Sequence, residues 1–304
     1  MRAGTKLGAY GLVLAAVLGG GAVVGAAAGP IDVGADAGAD HGGGHTEEAT
    51  TEAATSELPA GGLLVSQDGY TFVPEDRLAD AGEFAFTIVG PDGEPVESYD
   101  ETHDRELHLI VASRDLTEFT HIHPERDADG RWSVDLDELP AGPYRAFADF
   151  QPAGAEQYTL GVDLLAPGEA AEPAPLRVQA SDEVDDYEVT LEGDVNAGSE
   201  TEVTVTVRRD GEIVTTEPYL GAAGHLVALR DGDLAYLHVH PLDDEPAGPV
   251  RFAVEVPSAG TYGLFFDFLL DGEVRTARFV VEASNDSTDS TGPVAGHADD
   301  EDEH

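Results

Sequence analysis

Beyond residue 57 the chain is written in short alternating runs. Apolar residues recur at every second position over four to eight residues, and Gly, Pro and Asp interrupt them. "EFAFTIV" (83–89), "ELHLIVAS" (106–113), "YRAFADF" (144–150) and "QYTLGVDLL" (157–165) are such runs. "YEVTLEG" (187–193), "ETEVTVTVR" (200–208), "GHLVALR" (224–230), "VRFAVEV" (250–256) and "YGLFFDF" (262–268) follow later. Period-two alternation rich in Val, Thr, Tyr and Phe predicts β-strands. Helical periodicity is nearly absent after residue 30. Asp-Gly pairs at 92–93, 129–130, 210–211, 231–232 and 271–272 predict hairpin turns.

The runs fall into two blocks, 58–165 and 176–283, separated by the Pro/Ala/Glu-rich linker 166–175. Each block has the length and strand number of an immunoglobulin-like sandwich. The blocks also repeat one another. "GPDGEPV" (90–96) matches "RRDGEIV" (208–214), and "LPAGPYRAFADF" (139–150) matches "VPSAGTYGLFFDF" (256–268). "ELHLIVASRDLTEFTHIHP" (106–124) matches "AGHLVALRDGDLAYLHVHP" (223–241), with Tyr99 near the register of Tyr219. The expected fold is therefore all-β. Two tandem immunoglobulin-like β-sandwiches follow an N-terminal membrane helix or signal segment.

That N-terminal segment, residues 1–30, sets the expected compartment. Arg2 and Lys6 precede 25 residues without a charge, Leu7 to Ile31. This is long enough for a transmembrane helix, while "GAAAG" offers small residues for signal cleavage near Ala28. In both cases the bulk of the chain lies outside the cytoplasm. The expectation is a single-pass membrane anchor, with secretion after cleavage as the alternative. Residues 31–57 read as a disordered acidic tether and 284–304 as an acidic tail of similar composition.

Charge excludes whole classes of partner. The formal net charge is −46 and Lys6 is the only lysine, so binding to nucleic acid or to anionic lipid surfaces is not expected. Absence of cysteine removes disulfides, thiolate metal sites and cysteine nucleophiles. Met1 is the only methionine, which removes a thioether site for Cu(I). No Gly-x-Ser-x-Gly, phosphate-loop or dinucleotide fingerprint is present, and no motif points to an enzyme.

Imidazole is the remaining chemistry. Six of the 11 histidines stand at matched positions, His108, His121 and His123 in the first block and His225, His238 and His240 in the second. Both sets read H-x12-H-x-H-P. Residues i and i+2 of a strand face the same way, and twelve intervening residues suit a hairpin. Three imidazoles of each set can thus converge on one ion. The same pattern also fits half-exposed strand histidines paired with carboxylates. Asp149 in "FADF" and Asp267 in "FFDF" match between the blocks. Each can complete coordination, orient a histidine through its second nitrogen, or serve as a buried carboxylate paired with arginine. Tyr99 and Tyr219 read as core tyrosines or phenol donors, and His103 as a loop residue without a counterpart, with a ligand role as the alternative. His41, His45, His297 and His304 sit in acidic segments that capture cations weakly. All-imidazole sites with at most a carboxylate suit Cu(II), Zn(II) or Ni(II), and the expected ion is Cu(II) or Zn(II).

The stretches "YLGAAGHLVALRDGDLAYLHVHP" (219–241) and "HLIVASRDLTEFTHIHP" (108–124) resemble a family of exported proteins common in actinobacteria. That family carries a near-identical second stretch and HLIVxRxDLxxFxHxHP in its first half. The resemblance spans both blocks and the apolar segment ending in Gly29-Pro30. It implies the architecture, since members are described only as secreted or heavy-metal-related. "LHVHP" also resembles, weakly, the His-Val-His pair of copper–zinc superoxide dismutases, whose zinc loop and disulfide cysteines are missing here. The sequence therefore leads to an extracytoplasmic divalent-metal-binding protein, a heavy-metal carrier or sensor serving a membrane transporter or surface partner. The alternative is an adhesive module without metal, and the minor alternative a copper-dependent oxidoreductase.

Overall fold

The computed structural model describes residues 60–285, except 80–81, 138, 173–174 and 243–247, and of His238 and His240 it describes the backbone alone. The N-terminal apolar segment, the tether with His41 and His45, and the tail with His297 and His304 lie outside the described residues. Among the described residues no helix is long and apolar enough to cross a membrane.

The first block forms β1 (Ser66–Gln67), β2 (Tyr70–Pro74), β3 (Gly82–Val89), β4 (Tyr99–Asp100), β5 (Leu107–Ser113), β6 (Phe119–Ile122), β7 (Glu125–Arg126), β8 (Arg131–Leu136), β9 (Gly142–Pro152) and β10 (Tyr158–Ala166). The second forms β11 (Ser181–Val184), β12 (Tyr187–Glu192), β13 (Glu200–Arg209), β14 (Glu212–Ile213), β15 (His225–Arg230), β16 (Tyr236–His238), β17 (His240–Pro241), β18 (Val250–Glu255), β19 (Gly260–Leu270) and β20 (Glu273–Ala283). In the first block one sheet has the order β1-β2-β3-β8-β7 and the other β10-β9-β5-β6. The second block repeats this as β11-β12-β13-β18-β17 and β16-β15-β19-β20. The runs β2-β3-β8-β7 and β12-β13-β18-β17 are the A-B-E-D sheets, each with one further edge strand, and the other two are the G-F-C-C′ sheets of an immunoglobulin-like sandwich. Each copy also carries the tyrosine corner of that fold. Tyr144 Oη donates to Pro140 O at 2.8 Å, and Tyr262 Oη donates to Ser258 O at 2.8 Å.

Alternation explains the outer sheets. β12 and β18 bury every second residue, as a sheet with one wet face must. The inner sheets do not alternate, and every residue of β5 is buried. One face of β5, with Leu107, Leu109 and Val111, packs into the first sandwich beside Phe86 and Trp132. The other, with Ile110 and Ala112, meets Val227 and Leu229 of β15 and Phe265 of β19. The two inner sheets thus share a third core, and the sandwiches form one compact unit.

Aromatic contacts across this core are reciprocal. Phe119 of the first sandwich stacks on Phe265 of the second, centroids 4.1 Å apart and planes 6° from parallel. Tyr236, the repeat equivalent of Phe119, lies 5.7 Å from Phe147, the equivalent of Phe265. The pairing is that of a pseudo-two-fold interface formed within one chain.

The lead-in 61–64 breaks the symmetry. Tyr236 N donates to Gly61 O at 2.9 Å and Gly62 N to Thr159 O at 2.7 Å, so this segment bridges both sandwiches. Gly62 has φ +73°, and a Cβ there would lie 2.4 Å from the Phe147 ring, which leaves room for glycine alone. The buried Arg145 fixes the segment through Gly62 O (Nε 2.8 Å, Nη2 2.6 Å) and Leu63 O (3.1 Å).

Candidate metal centre

The β5–β6 hairpin pairs Leu109 with Ile122 and Ile110 with His121. Continued by one step, this register brings His123, just past β6, level with His108. The ligating nitrogens of His108, His121 and His123 all lie within 4.8 Å of one another. His108 Nδ1 is 3.0 Å from His121 Nε2 and 3.1 Å from His123 Nε2.

Proton accounting makes this cluster unusual. His108 Nε2 lies 2.9 Å from the Thr102 carbonyl oxygen. A carbonyl only accepts, so the neutral ring carries its proton on Nε2, and Nδ1 presents a lone pair. His121 Nδ1 lies 2.7 Å from Asp267 Oδ2. The carboxylate likewise holds the proton on Nδ1 and turns the Nε2 lone pair inward. Two lone pairs therefore face each other at 3.0 Å, and the neutral cluster can place at most one hydrogen, on His123, among three nitrogens. Around a metal at about 2.0–2.1 Å in tetrahedral geometry, donor nitrogens stand roughly 3.3 Å apart, close to the spacing here.

Burial opposes protonation of His108 and His123. It lowers His108 to about 4, helped by the positive charge His121 would carry, and lowers His123 to about 3. His225 is likewise pushed down to about 4, mainly by burial. Two buried carboxylates flank these rings. Asp267 also accepts from Thr276 Oγ1 at 2.5 Å. Asp149, at the equivalent position of β9, accepts from Gln157 Nε2 (3.0 Å), Thr159 Oγ1 (3.2 Å) and the Tyr236 phenol. Asp267 thus orients a histidine of the opposite sandwich, and Asp149 stands outside the triad.

Of the second set, His225 alone has a described side chain. His225 repeats His108: it is buried and its Nε2 donates to Tyr219 O at 3.0 Å. His238 pairs with Val227 as His121 pairs with Ile110. His240 opens β17, on the outer sheet, paired with Ala253. The acceptor of the first set is Thr102 and not Tyr99. Thr102 and Arg105 exchange backbone hydrogen bonds as Tyr219 and Ala222 do, which places Thr102 at the repeat position of Tyr219. Tyr99 is instead a core residue, its hydroxyl accepting from Trp132 Nε1 at 3.2 Å, with its own ionisation pushed up to about 12 by burial.

His103 is the residue that sequence reasoning set aside. It stands in this turn with φ 49°, as Leu220 does with φ 50° in the second repeat. Its ring lies 5.0 Å from His225 of the other sandwich and 6.0 Å from His108. Pairing the two tight turns, rather than the tyrosines, is the signal that would have placed it.

Fold and site together define a pair of immunoglobulin-like sandwiches whose shared face holds a cluster of imidazoles and carboxylates. The chain belongs to the family described as a domain of unknown function, DUF8832, whose profile matches residues 65–163 and 182–285. Among curated proteins none matches the sequence. Similar solved structures include a titin A168169 fragment (12% identity, 71% of this chain and 98% of that one, TM-score 0.18). Others are the BSP domain of a biofilm-associated protein (13%, 73% and 30%, 0.19) and a marsupial T cell receptor (10%, 71% and 98%, 0.21). The strand order and the tyrosine corners define the fold.

Proposed function

We propose that the protein binds a divalent cation, Cu(II) or Zn(II), at His108, His121 and His123. One observation carries this reading: three imidazole nitrogens converge, and with the outer nitrogens of His108 and His121 held by a carbonyl and a carboxylate the neutral cluster has at most one hydrogen among them. A cation satisfies all three lone pairs at once. The Asp267–His121 contact has the carboxylate–histidine form that orients metal-bound imidazole and raises its basicity. Imidazole donors without thiolate or thioether suit Cu(II) or Zn(II) over Cu(I).

The N-terminal pattern of positive residues followed by an uncharged segment supports a location outside the cytoplasm. There the protein would act as a carrier or sensor of the metal, handing it to or receiving it from a surface or membrane partner. An adhesive role draws on the fold alone, which hosts many functions.

Titration of the full-length protein with Zn(II) against a competing chelator tests the reading. The chelator keeps weak capture by the acidic segments out of the count. At least one tight equivalent is expected, lost in His121→Ala while the circular dichroism spectrum is kept. Wild-type protein without a tight equivalent of either metal would refute the site.

A further inference from the structure

We infer that the cavity beside the triad is a second cation position, assembled from His103 of the first sandwich and His225 of the second. This deepens the triad reading and rests on it, because the two positions share a wall. The cavity measures about 30 Å3 and is lined by His103, His108, His121, His225, Asp149 and Tyr236. That is room for about one water molecule or ion; beside Leu226, Val227 and Val239, the imidazoles, a carboxylate and a phenol bring polar groups to a place where both sandwiches otherwise meet through apolar side chains.

His225 has the same proton assignment as His108. Its Nε2 donates to the Tyr219 carbonyl, so Nδ1 is the nitrogen left with a lone pair. His103 approaches it edge-on, with ring planes 80° apart and centroids 5.0 Å apart. The turn does not itself require a histidine, since Leu220 holds the same left-handed position in the other repeat. One carboxylate per position offsets part of the charge. Asp267 serves the triad, and Asp149, its repeat equivalent, lines the cavity. The ligand class is a divalent cation with affinity for imidazole, Cu(II) or Zn(II). With ring centroids of His121 and His225 only 6.4 Å apart, two ions held at these positions are close enough to interact magnetically.

Copper titration of the full-length protein against nitrilotriacetate, followed by electron paramagnetic resonance, separates the outcomes. Two tight equivalents are expected, the second broadening or suppressing the signal of the first. His103→Leu should leave one equivalent with a sharp, uncoupled spectrum. Leucine already occupies this turn position in the second repeat, so the variant should fold, and His103→Asn, which tolerates the same positive φ, provides a second test. One equivalent in the wild type, or two retained in both His103 variants, overturns the inference and leaves the triad standing. No equivalents at all would overturn both.

Discussion

His121 Nδ1 of the first sandwich donates to Asp267 Oδ2 of the second at 2.7 Å, across 146 positions of sequence. Both side chains are almost wholly buried. The metal-facing nitrogen of one domain is thus set by a carboxylate of the other. Asp267→Asn should weaken Zn(II) binding by about 10–100-fold, the usual effect of losing such an orienting carboxylate. The global cost should stay within about 1–3 kcal/mol, that of a perturbed buried hydrogen bond. Competition titration and urea unfolding on the same variant measure the two effects. Unchanged affinity would show that Asp267 serves packing alone.

The third core makes the two sandwiches cooperative. Phe265 is 1% exposed and stacks on Phe119 of the other sandwich. Phe265→Ala should cost about 3–5 kcal/mol, as large-to-small changes in packed cores do. Wild-type unfolding should be a single transition with the same midpoint by tryptophan fluorescence and by circular dichroism. Trp132 is the only tryptophan and reports on the first sandwich alone. Two separate midpoints in the wild type would contradict a shared core.

Acid should destabilise the metal-free protein. Burial holds His108 and His225 at about 4, against about 6.5 in an unfolded chain. Between these values the unfolded chain takes up protons that the folded one refuses, so acid favours unfolding. The stabilising contribution is complete above about pH 6.5 and is lost as pH falls towards 4. Each of these two histidines contributes a slope of at most about 1.4 kcal/mol per pH unit. Thermal melts between pH 7 and pH 5 should fall steadily. A flat profile would mean that the imidazoles are not buried in their neutral form.

Gly62 seals the seam between the sandwiches. Gly62→Ala combines a positive φ with a Cβ driven into Phe147 and should destabilise markedly. Gly93, with φ 85° and open space around its Cβ position, is the control. Gly93→Ala should cost only the left-handed backbone term, about 1–2 kcal/mol. Equal losses in the two variants would remove the argument for a close-packed seam.

Much of the fold was legible in the alternation and the turns. Asp210-Gly211 and Asp271-Gly272 form two-residue hairpin loops with both residues at positive φ, as the Asp-Gly signal implies. "LHLIVAS" and "HLVALR" were less telling. Their consecutive apolar residues, Leu109 to Ala112 and Leu226 to Leu229, reflect burial on both faces, and nothing local to them says that the second face meets the other repeat. For the candidate site, hairpin spacing brought His108, His121 and His123 together on paper because antiparallel register is a local property. The Asp267–His121 contact was not legible, since it depends on how two sandwiches dock. His103 was missed for a different reason. Its repeat partner is Leu220, so the comparison that revealed the other histidines hid this one.

The central claim is that His108, His121 and His123 hold a metal ion. Anomalous diffraction from crystals soaked in Zn(II) or Cu(II) and collected at the metal edge tests it most directly. The account predicts a peak about 2.0–2.1 Å from His108 Nδ1, His121 Nε2 and His123 Nε2 together. A map with no peak at that point, in crystals where the three rings keep their positions, would contradict it.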